Sequence, residues 1–266
     1  MISHIGSQKQ STCAFTIVRN EPVFLPLWIS HHIKTFDRLY VLFHQSASNL
    51  EKEICEKNNV ESLIIHNSSS YCWAWITETA NEFSRFLLKS FNVVAYSDVD
   101  ELIIDTNNIL HSQLPGITRC QGYAIHQIMN EEAPLVTNLS ISAQRNHYTD
   151  HSGNSKPIIR TDPTPDWDMG FHYLRNHPYI PINPLIFLIH LHFIDYDIML
   201  KRHQLRGQFN NISEFEASTN SGGHNFLHKA EDIRNFLTFW EGYCSKMTPT
   251  VASIVDKIDL STLGVF

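Results

Sequence analysis

The sequence predicts an α/β fold in which a mostly parallel β-sheet is flanked by helices. Two observations support this prediction. Short apolar runs alternate with amphipathic segments through the first hundred residues, in the order strand, helix, strand, helix, strand, helix, strand. The run at residues 93–96 is nearly all apolar, as expected of a strand that helices cover on both faces. Parallel strands joined by helices form right-handed crossovers, so helices are expected on both sides of one sheet.

Four strands are predicted in the first half, at residues 14–18, 39–43, 63–65 and 93–96. Proline favours the first turn of a helix, so Pro22 and Pro26 place a helix directly after the first strand. A charged helix at residues 50–58 and a helix with an apolar stripe at residues 73–91 follow.

The second half of the chain is less regular. Four further strands are expected, at residues 122–129, 135–143, 156–160 and 185–189. A proline-rich, acidic loop at residues 161–174 runs into an aromatic strand, GFHYL. Three helices complete the chain: one that Gly207 ends, an amphipathic one within residues 222–244, and a last one that starts at Pro249.

We therefore divide the 266 residues into a main domain, residues 1–207, and a helical C-terminal extension, residues 208–266, packed on it. The composition is 42% hydrophobic and 18% charged, which is typical of a globular protein with a substantial core. The net charge of -7 argues against nucleic acid as a partner, because proteins that bind it usually carry a basic face.

The five cysteines are widely spread and never in CxxC spacing, as expected of reduced thiols in the cytosol. The first residues lack the apolar core of a signal peptide, and no stretch reaches the roughly 18 apolar residues of a membrane span. We expect a cytoplasmic protein. The aromatic stripe at residues 225–240 leaves open core packing, a partner subunit, or peripheral contact with the inner face of the membrane.

An acidic strand end, FNVVAYSDVDELII at residues 91–104, is the centre of the functional prediction. Open α/β sheets bind ligands at the carboxyl ends of their strands. Asp98 and Asp100 point to one side if the backbone stays extended, so both can reach one divalent cation. The plainer interpretation is a solvated acidic turn. Glu101 is expected to orient neighbouring groups rather than to bind the ion.

Two histidines follow the strand predicted at residues 185–189. His190 and His192 alternate along the chain, so they face the same side. HxH is also a common zinc element, and a histidine at a strand end is often only hydrogen-bonded.

Four fragments occur in a fixed order: IVRNEPVFLPLWISHH, YSDVDELI, KPIIR with GFHYL, and IHLHFIDYDIMLKRH. Together, over residues 14–207, they resemble the GT-A glycosyltransferases of the family 2 and family 92 type. The resemblance implies a GT-A fold that binds a nucleotide-sugar donor across its first half, with a UDP-sugar as the first choice. The second half is then expected to hold a saccharide or glycolipid acceptor. It also implies a role in bacterial surface-polysaccharide or lipopolysaccharide synthesis.

A divalent cation, Mn²⁺ or Mg²⁺, is the cofactor that this resemblance implies. The cation would offset the charge on the departing nucleoside diphosphate. Asp98 and Asp100 are the first-choice ligands of the cation. His192 matches the family's late HY/HF position and is the first choice for a third ligand, with His190 as the alternative. Manganese prefers oxygen ligands but accepts an added imidazole.

Donor binding is assigned to basic and acidic residues near the predicted sheet edge. Arg19 and Glu21 fall at the first strand-to-helix turn, where a nucleotide base or ribose would rest, or else they form a solvated turn. Lys156 and Arg160 meet phosphates or pair with nearby acids. Arg202 is preferred to Lys201 because arginine binds phosphate with two parallel hydrogen bonds. Asp98 also belongs to this set.

An inverting transferase needs a general base for the acceptor hydroxyl. Asp168 is the first choice and Asp166 the second, with Glu131 and Glu132 as rivals. His172 is assigned to the acceptor or the sugar. A retaining mechanism stays open.

Two other functions stay open at this point. One is a metallohydrolase or nucleotidyltransferase that uses the DVD and HLH ligands. The other is a non-catalytic module that binds a sugar nucleotide.

Overall fold

The computed structural model describes residues 11–19, 21–44, 48–65, 73–112, 114–129, 131–150, 152–177, 180–207 and 229–264. The strands are β1 Thr12–Val18, β2 Arg38–His44, β3 Glu61–Ile65, β4 Val93–Tyr96, β5 Glu101–Asp105, β6 Ile117–His126, β7 His147–Thr149, β8 Ile159–Arg160, β9 Ile182–His190 and β10 Ser245–Lys246. The α-helices are α1 Leu25–His32, α2 Asn49–Lys57, α3 Trp73–Leu87, α4 Tyr196–Gly207, α5 Ala230–Glu241 and α6 Pro249–Val255.

The first half forms a parallel sheet in the spatial order β3-β2-β1-β4. All four residues of β4 are buried, as the continuous apolar run requires. Helices connect these strands, so the α/β fold and the predicted alternation are confirmed. After β1 the chain places β2 and β3 on one side of β1, and it then returns to place β4 on the other side. Sheets of this kind open a crevice where the strand order changes, which here is at the carboxyl ends of β1 and β4.

The second half extends the sheet with strands of mixed direction. β8 pairs antiparallel with both β4 and β6, and β6 pairs antiparallel with β7. β9 runs parallel to β6 and antiparallel to β5. The first residue of β5, Glu101, lies opposite the last residue of β9, His190. This register joins two residues that are 89 positions apart in the chain.

β5 is not predicted from the sequence, in which residues 91–104 are interpreted as one strand with an acidic end. The chain turns at Val99 and Asp100 and then starts a new strand. Apolar residues make up β4 and the middle of β5, so their side chains alone do not reveal the break. Asp98 and Asp100 lie between the two strands, and Glu101 begins β5.

The strand predicted at residues 135–143 is wrong. The alternating letters LVTNLSISA suggest a strand, but these residues form turns. The side chain of Gln144 takes the place of a partner strand. It accepts a hydrogen bond from the Val136 N–H at 2.5 Å and donates to the carbonyls of Val136, Leu139 and Ser140 at 2.9, 3.2 and 3.1 Å.

The aromatic strand expected from GFHYL is also absent from the described residues around it. Gly170 and Phe171 have positive φ values of 82° and 64°, which no extended strand accommodates. Only an isolated bridge joins Trp167 to Leu174. The strand predicted at residues 156–160 is real only in its last two residues.

The helix predictions are confirmed where the structure describes them. α1 carries Pro26 in its first turn, and α2 begins with a capping box between Ser48 and Glu51. α4 is described as far as Gly207, so the stop predicted there adjoins residues outside the described part and stays a prediction. α6 begins at Pro249. The amphipathic helix is described from Ala230 on, and its predicted start lies outside the described residues.

The last helices pack against the main domain. Val251, Ile254 and Val255 of α6 belong to the same buried cluster as the strands of the parallel sheet. The domain boundary predicted after residue 207 adjoins residues 208–228, which lie outside the described part, and stays a prediction. Across the described residues, none of the helices has the length and apolar character needed to cross a membrane.

We predict that Gly122→Ala destabilises the fold by at least about 3 kcal/mol, because overpacking against rigid backbone is costly. A Cβ atom at Gly122 in β6 would lie 1.8 Å from the carbonyl oxygen of Asn154. The change is measured as the free energy of unfolding in urea.

Gly242→Ala is the matched control. A Cβ atom there meets no atom closer than 3.6 Å, so stability should change by less than about 0.5 kcal/mol. Equal stability of both variants would contradict the packing of β6 on the turn at Ser152–Asn154.

Candidate active site

The turn after β4 is fixed by contacts on both sides. The indole N–H of Trp28 in α1 donates to the Ser97 hydroxyl at 2.9 Å. The main-chain N–H of Leu191, just after β9, donates to the Asp100 carbonyl at 2.9 Å. Together with the pairing of Glu101 and His190, these bonds place Asp100 beside the end of β9.

Asp100, His190 and His192 form one cluster. One ligand atom from each lies within 4.8 Å of the others. Asp100 Oδ2 is 3.4 Å from His190 Nε2 and 3.1 Å from His192 Nδ1. Both histidines therefore approach Asp100, although His192 lies beyond the end of β9 and not within the strand. Their assignment as metal ligands stays a prediction.

The charges of this cluster follow from burial and from the groups that Asp100 contacts. Burial opposes ionisation of Asp100, but the Arg202 guanidinium and the two imidazoles outweigh burial and hold its pKa well below the usual range. Burial lowers the pKa of His192 to about 3, so its imidazole is neutral at pH 7. Burial also opposes protonation of His190, but Asp100 outweighs it and raises the pKa of His190.

Arg202 of α4 reaches into the same cluster. Its Nε donates to Glu21 Oε2 at 2.8 Å and Oε1 at 3.0 Å. Its Nη1 donates to Asp100 Oδ2 and lies 2.9 Å from His192 Nδ1. Both carboxylates raise the pKa of Arg202 against the effect of burial. Arg202 thus links α4, the turn after β1 and the turn after β4.

A second ion pair lies on the other side of the β4–β5 turn. Lys156 Nζ is 3.0 Å from Asp98 Oδ2 and 2.7 Å from Glu101 Oε1. The Tyr96 hydroxyl donates to Asp98 Oδ1 at 2.7 Å. Burial would lower the pKa of Lys156, but the two carboxylates outweigh it and raise that pKa.

Asp98 and Asp100 therefore point to different partners. The extended backbone assumed for them is wrong, because the chain turns between the two aspartates. Among the described residues, the group suited to a cation contains Asp100 and both histidines but not Asp98. The metal role of Asp98 stays a prediction.

The residues present fit a divalent cation. An ionised carboxylate and two imidazoles are ligands that Mn²⁺ accepts. Four acidic side chains, Glu21, Asp98, Asp100 and Glu101, face two basic ones, Lys156 and Arg202, and also His190, whose pKa Asp100 raises. The acidic groups still outnumber the basic ones, which favours an added cation.

Arg160 is committed to a neighbouring loop. Its guanidinium carbon lies 4.5 Å from the centroid of the Trp167 ring, and Nη1 donates to the Ser84 hydroxyl at 2.8 Å. Nη2 donates to the carbonyls of Pro163 and Pro165 at 2.5 and 2.7 Å. Arg160 is fully buried. Lys156 and Arg160, expected on one face of a strand, point to different sites.

The other predicted residues occupy separate places. Arg19 lies at the end of β1, where burial and then the charge of Arg19 lower the pKa of His44 to about 4. Asp166 pairs with Arg85, and Asp168 Oδ1 accepts a hydrogen bond from the Met169 N–H at 2.8 Å.

His172 lies close enough to Lys156, Asp98 and His190 for their charges to act on it. Burial, followed by the charges of Lys156 and His190, lowers the pKa of His172 to about 3 against the opposing effect of Asp98. Of the rival bases, Glu131 is exposed. The Glu132 side chain is 6% exposed and lies 3.9 Å from Arg145, so it is held within the fold.

The pairing of Glu21 with Arg202 is not predicted from the sequence, where both residues are assigned to the donor nucleotide. The two residues are 181 positions apart, and no local pattern connects them. The sequence leaves open whether Lys156 meets phosphates or pairs with nearby acids, and the structure shows it paired with acids. The assignment of Glu101 to orienting neighbours agrees with its contact to Lys156.

The fold and site define an α/β protein with a mixed sheet and an acidic, histidine-containing centre where the parallel sheet opens. No protein-family model matches the chain, and no curated protein matches it.

The solved structures that are similar to it include the following three. A 4-diphosphocytidyl-2C-methyl-D-erythritol synthase has 10% identity and a TM-score of 0.31, over 58% of this chain and 76% of that one. The 4-diphosphocytidyl-2C-methyl-D-erythritol synthase of Anaerococcus prevotii has 11% identity and a TM-score of 0.28, over 87% and 96%. The inositol-1-phosphate CTP transferase of T. maritima has 14% identity and a TM-score of 0.30, over 94% and 97%. Scores this low assign no reaction to the chain.

We predict that Lys156→Met destabilises the protein by about 3 to 5 kcal/mol at pH 7.5, because it leaves Glu101 and Asp98 without their buried cation. The free energy of unfolding in urea measures the loss. Lys257→Met, at an exposed lysine of the C-terminal segment, is the control and should be nearly neutral. A stable Lys156→Met variant would contradict the ion pair.

Proposed function

We propose that this protein is a transferase that uses a nucleotide donor and a divalent cation. More specifically, we propose that it moves a sugar from a nucleoside diphosphate to a saccharide hydroxyl. The observation that carries the proposal is the convergence of Asp100, His190 and His192 at the carboxyl end of β4. The order of the parallel strands changes between β1 and β4, and α/β sheets hold nucleotides at the carboxyl ends of strands at such a point.

Each residue of the centre has a role in this proposal. Asp100, His190 and His192 would hold Mn²⁺ or Mg²⁺, which offsets the negative charge of a departing diphosphate. Lys156 and Arg202 supply further positive charge beside it. Asp98 remains a candidate ligand of the cation or the donor. Charge that is fixed in advance at a buried site stabilises the transition state without reorganisation.

The acceptor side is assigned to the loop at residues 161–174. In an inverting reaction a carboxylate accepts the proton of the attacking hydroxyl while the bond to the diphosphate breaks. Asp166 is engaged by Arg85, so Asp168 is the first choice for this base. His172, neutral at pH 7 and near Asp98, is proposed to contact the acceptor.

Nucleotidyl transfer, which releases pyrophosphate from a nucleoside triphosphate, is the alternative reaction. Loops that wrap phosphates with main-chain N–H groups are commonly rich in glycine. The chain has no glycine between Gly6 and Gly116, so neither the turn after β1 nor the turn after β4 has this composition. Side chains and a cation are better suited to a diphosphate here, which favours sugar transfer.

The cellular role that we propose follows from the family resemblance of the sequence. The donor would be a UDP-sugar, and the acceptor a saccharide or glycolipid of a bacterial surface polysaccharide or lipopolysaccharide. The reaction would take place in the cytoplasm or at the inner face of the membrane.

Calorimetry with UDP, GDP and CDP, with and without Mn²⁺, tests the proposal. We expect one diphosphate to bind only with Mn²⁺. The affinity for this diphosphate in the presence of Mn²⁺ should fall at least about 100-fold in Asp100→Asn, because the substitution removes the negative charge of a buried carboxylate that binds the cation. Asp197→Asn, an exposed aspartate in the first turn of α4, is the matched control and should bind as the wild type does.

The products distinguish the reactions. Release of a nucleoside diphosphate from a nucleotide sugar supports sugar transfer, whereas pyrophosphate released from CTP would assign nucleotidyl transfer instead. Binding without turnover of any nucleotide sugar would indicate a non-catalytic module. Failure of all three diphosphates to bind with Mn²⁺ would overturn the proposal.

A further inference from the structure

We propose that Arg202 and the divalent cation compete for the same atoms of Asp100 and His192, so that Arg202 exchanges partners when the cation binds. The inference rests on the proposed function, because it concerns the cation site of that function. It makes Arg202 a positioning residue that controls access to the site.

The competition follows from shared atoms. Oδ2 of Asp100 receives the Nη1 donor of Arg202 and is also the atom nearest to both histidines. Nδ1 of His192 lies 2.9 Å from the same Nη1. A cation bound to Asp100 Oδ2 would share the oxygen that now accepts from the guanidinium, and a cation bound to His192 Nδ1 would displace Nη1 from beside that nitrogen. Two positive charges would then crowd one buried carboxylate, so the cation and Nη1 compete for it.

Arg202 cannot give way by losing its proton. An arginine side chain stays protonated in proteins. The Arg202 side chain is 2% exposed, and the guanidinium carbon lies 5.0 Å from the centroid of the Phe24 ring. The arriving cation must therefore displace Nη1 from Asp100 and His192.

The contacts of Arg202 divide in a way that allows this exchange. Nε holds Glu21 with two hydrogen bonds, while Nη1 holds Asp100. The guanidinium can keep Glu21 and turn Nη1 away. A nucleoside diphosphate that arrives with the cation offers oxygens to the cation and to Arg202, because phosphate binds arginine and divalent cations alike. The phosphate oxygens would thus accept the Nη1 donor that the cation displaces from Asp100.

The test is the affinity of Mn²⁺ alone, followed by the electron paramagnetic resonance signal of the free ion. The main variant is Glu21→Gln with Arg202→Met, which removes one negative and one positive charge together. We expect this double variant to bind Mn²⁺ at least ten-fold more tightly than the wild type. Arg202→Lys keeps the charge but lacks the forked donors that bridge Glu21 and Asp100, so a smaller gain is expected.

Glu78→Gln with Arg175→Met is the matched control. It removes an exposed ion pair of the same composition and should leave the affinity for Mn²⁺ unchanged. Adding Asp100→Asn to the main variant should abolish the gain, which would locate the effect at the cluster. Circular dichroism establishes that each variant is folded.

The outcomes separate this inference from the proposed function. If the wild type binds Mn²⁺ with UDP but neither Arg202 variant gains affinity for Mn²⁺ alone, the competition is wrong and the proposed function stands. If no variant binds Mn²⁺, with or without a nucleoside diphosphate, both are wrong. A gain in the main variant that survives Asp100→Asn would also overturn the competition.

Discussion

The antiparallel pairing of β5 with β9 is the interaction on which the site depends. It sets Glu101 opposite His190, and the bond from Leu191 to Asp100 continues the pairing by one step. A shift of one residue would turn each side chain to the other face of the sheet and separate Asp100 from His190. The buried residues of β5 and β9 therefore determine where the polar cluster forms.

Charge balance is the second constraint. Asp100 and Glu21 share Arg202, and Asp98 and Glu101 share Lys156, so two basic residues hold four acidic ones at one edge of the sheet. A buried charge without a partner is costly, so each carboxylate is held by a basic group. An added cation would change the charge balance of the ion pairs around it.

Much of the fold is predictable from local patterns, whereas the site is only partly so. β4 and α1 follow from an apolar run and from the position of Pro26, both of which are local features. The approach of His190 and His192 to Asp100 follows from the acidic end of one strand and the family resemblance. The separation of Asp98 from Asp100 does not, because it depends on a turn between two apolar strands. Contacts across most of the chain, such as Glu21 with Arg202, leave no local signal.

The central claim is that Asp100, His190 and His192 converge on one cation. Pulsed electron paramagnetic resonance of Mn²⁺ bound to the protein with its nucleoside diphosphate tests it directly, because ¹⁴N nuclei of coordinated imidazoles couple to the ion. The account predicts coupling to two imidazole nitrogens, reduced to one in His190→Gln and in His192→Gln. Bound Mn²⁺ without any imidazole coupling would contradict it.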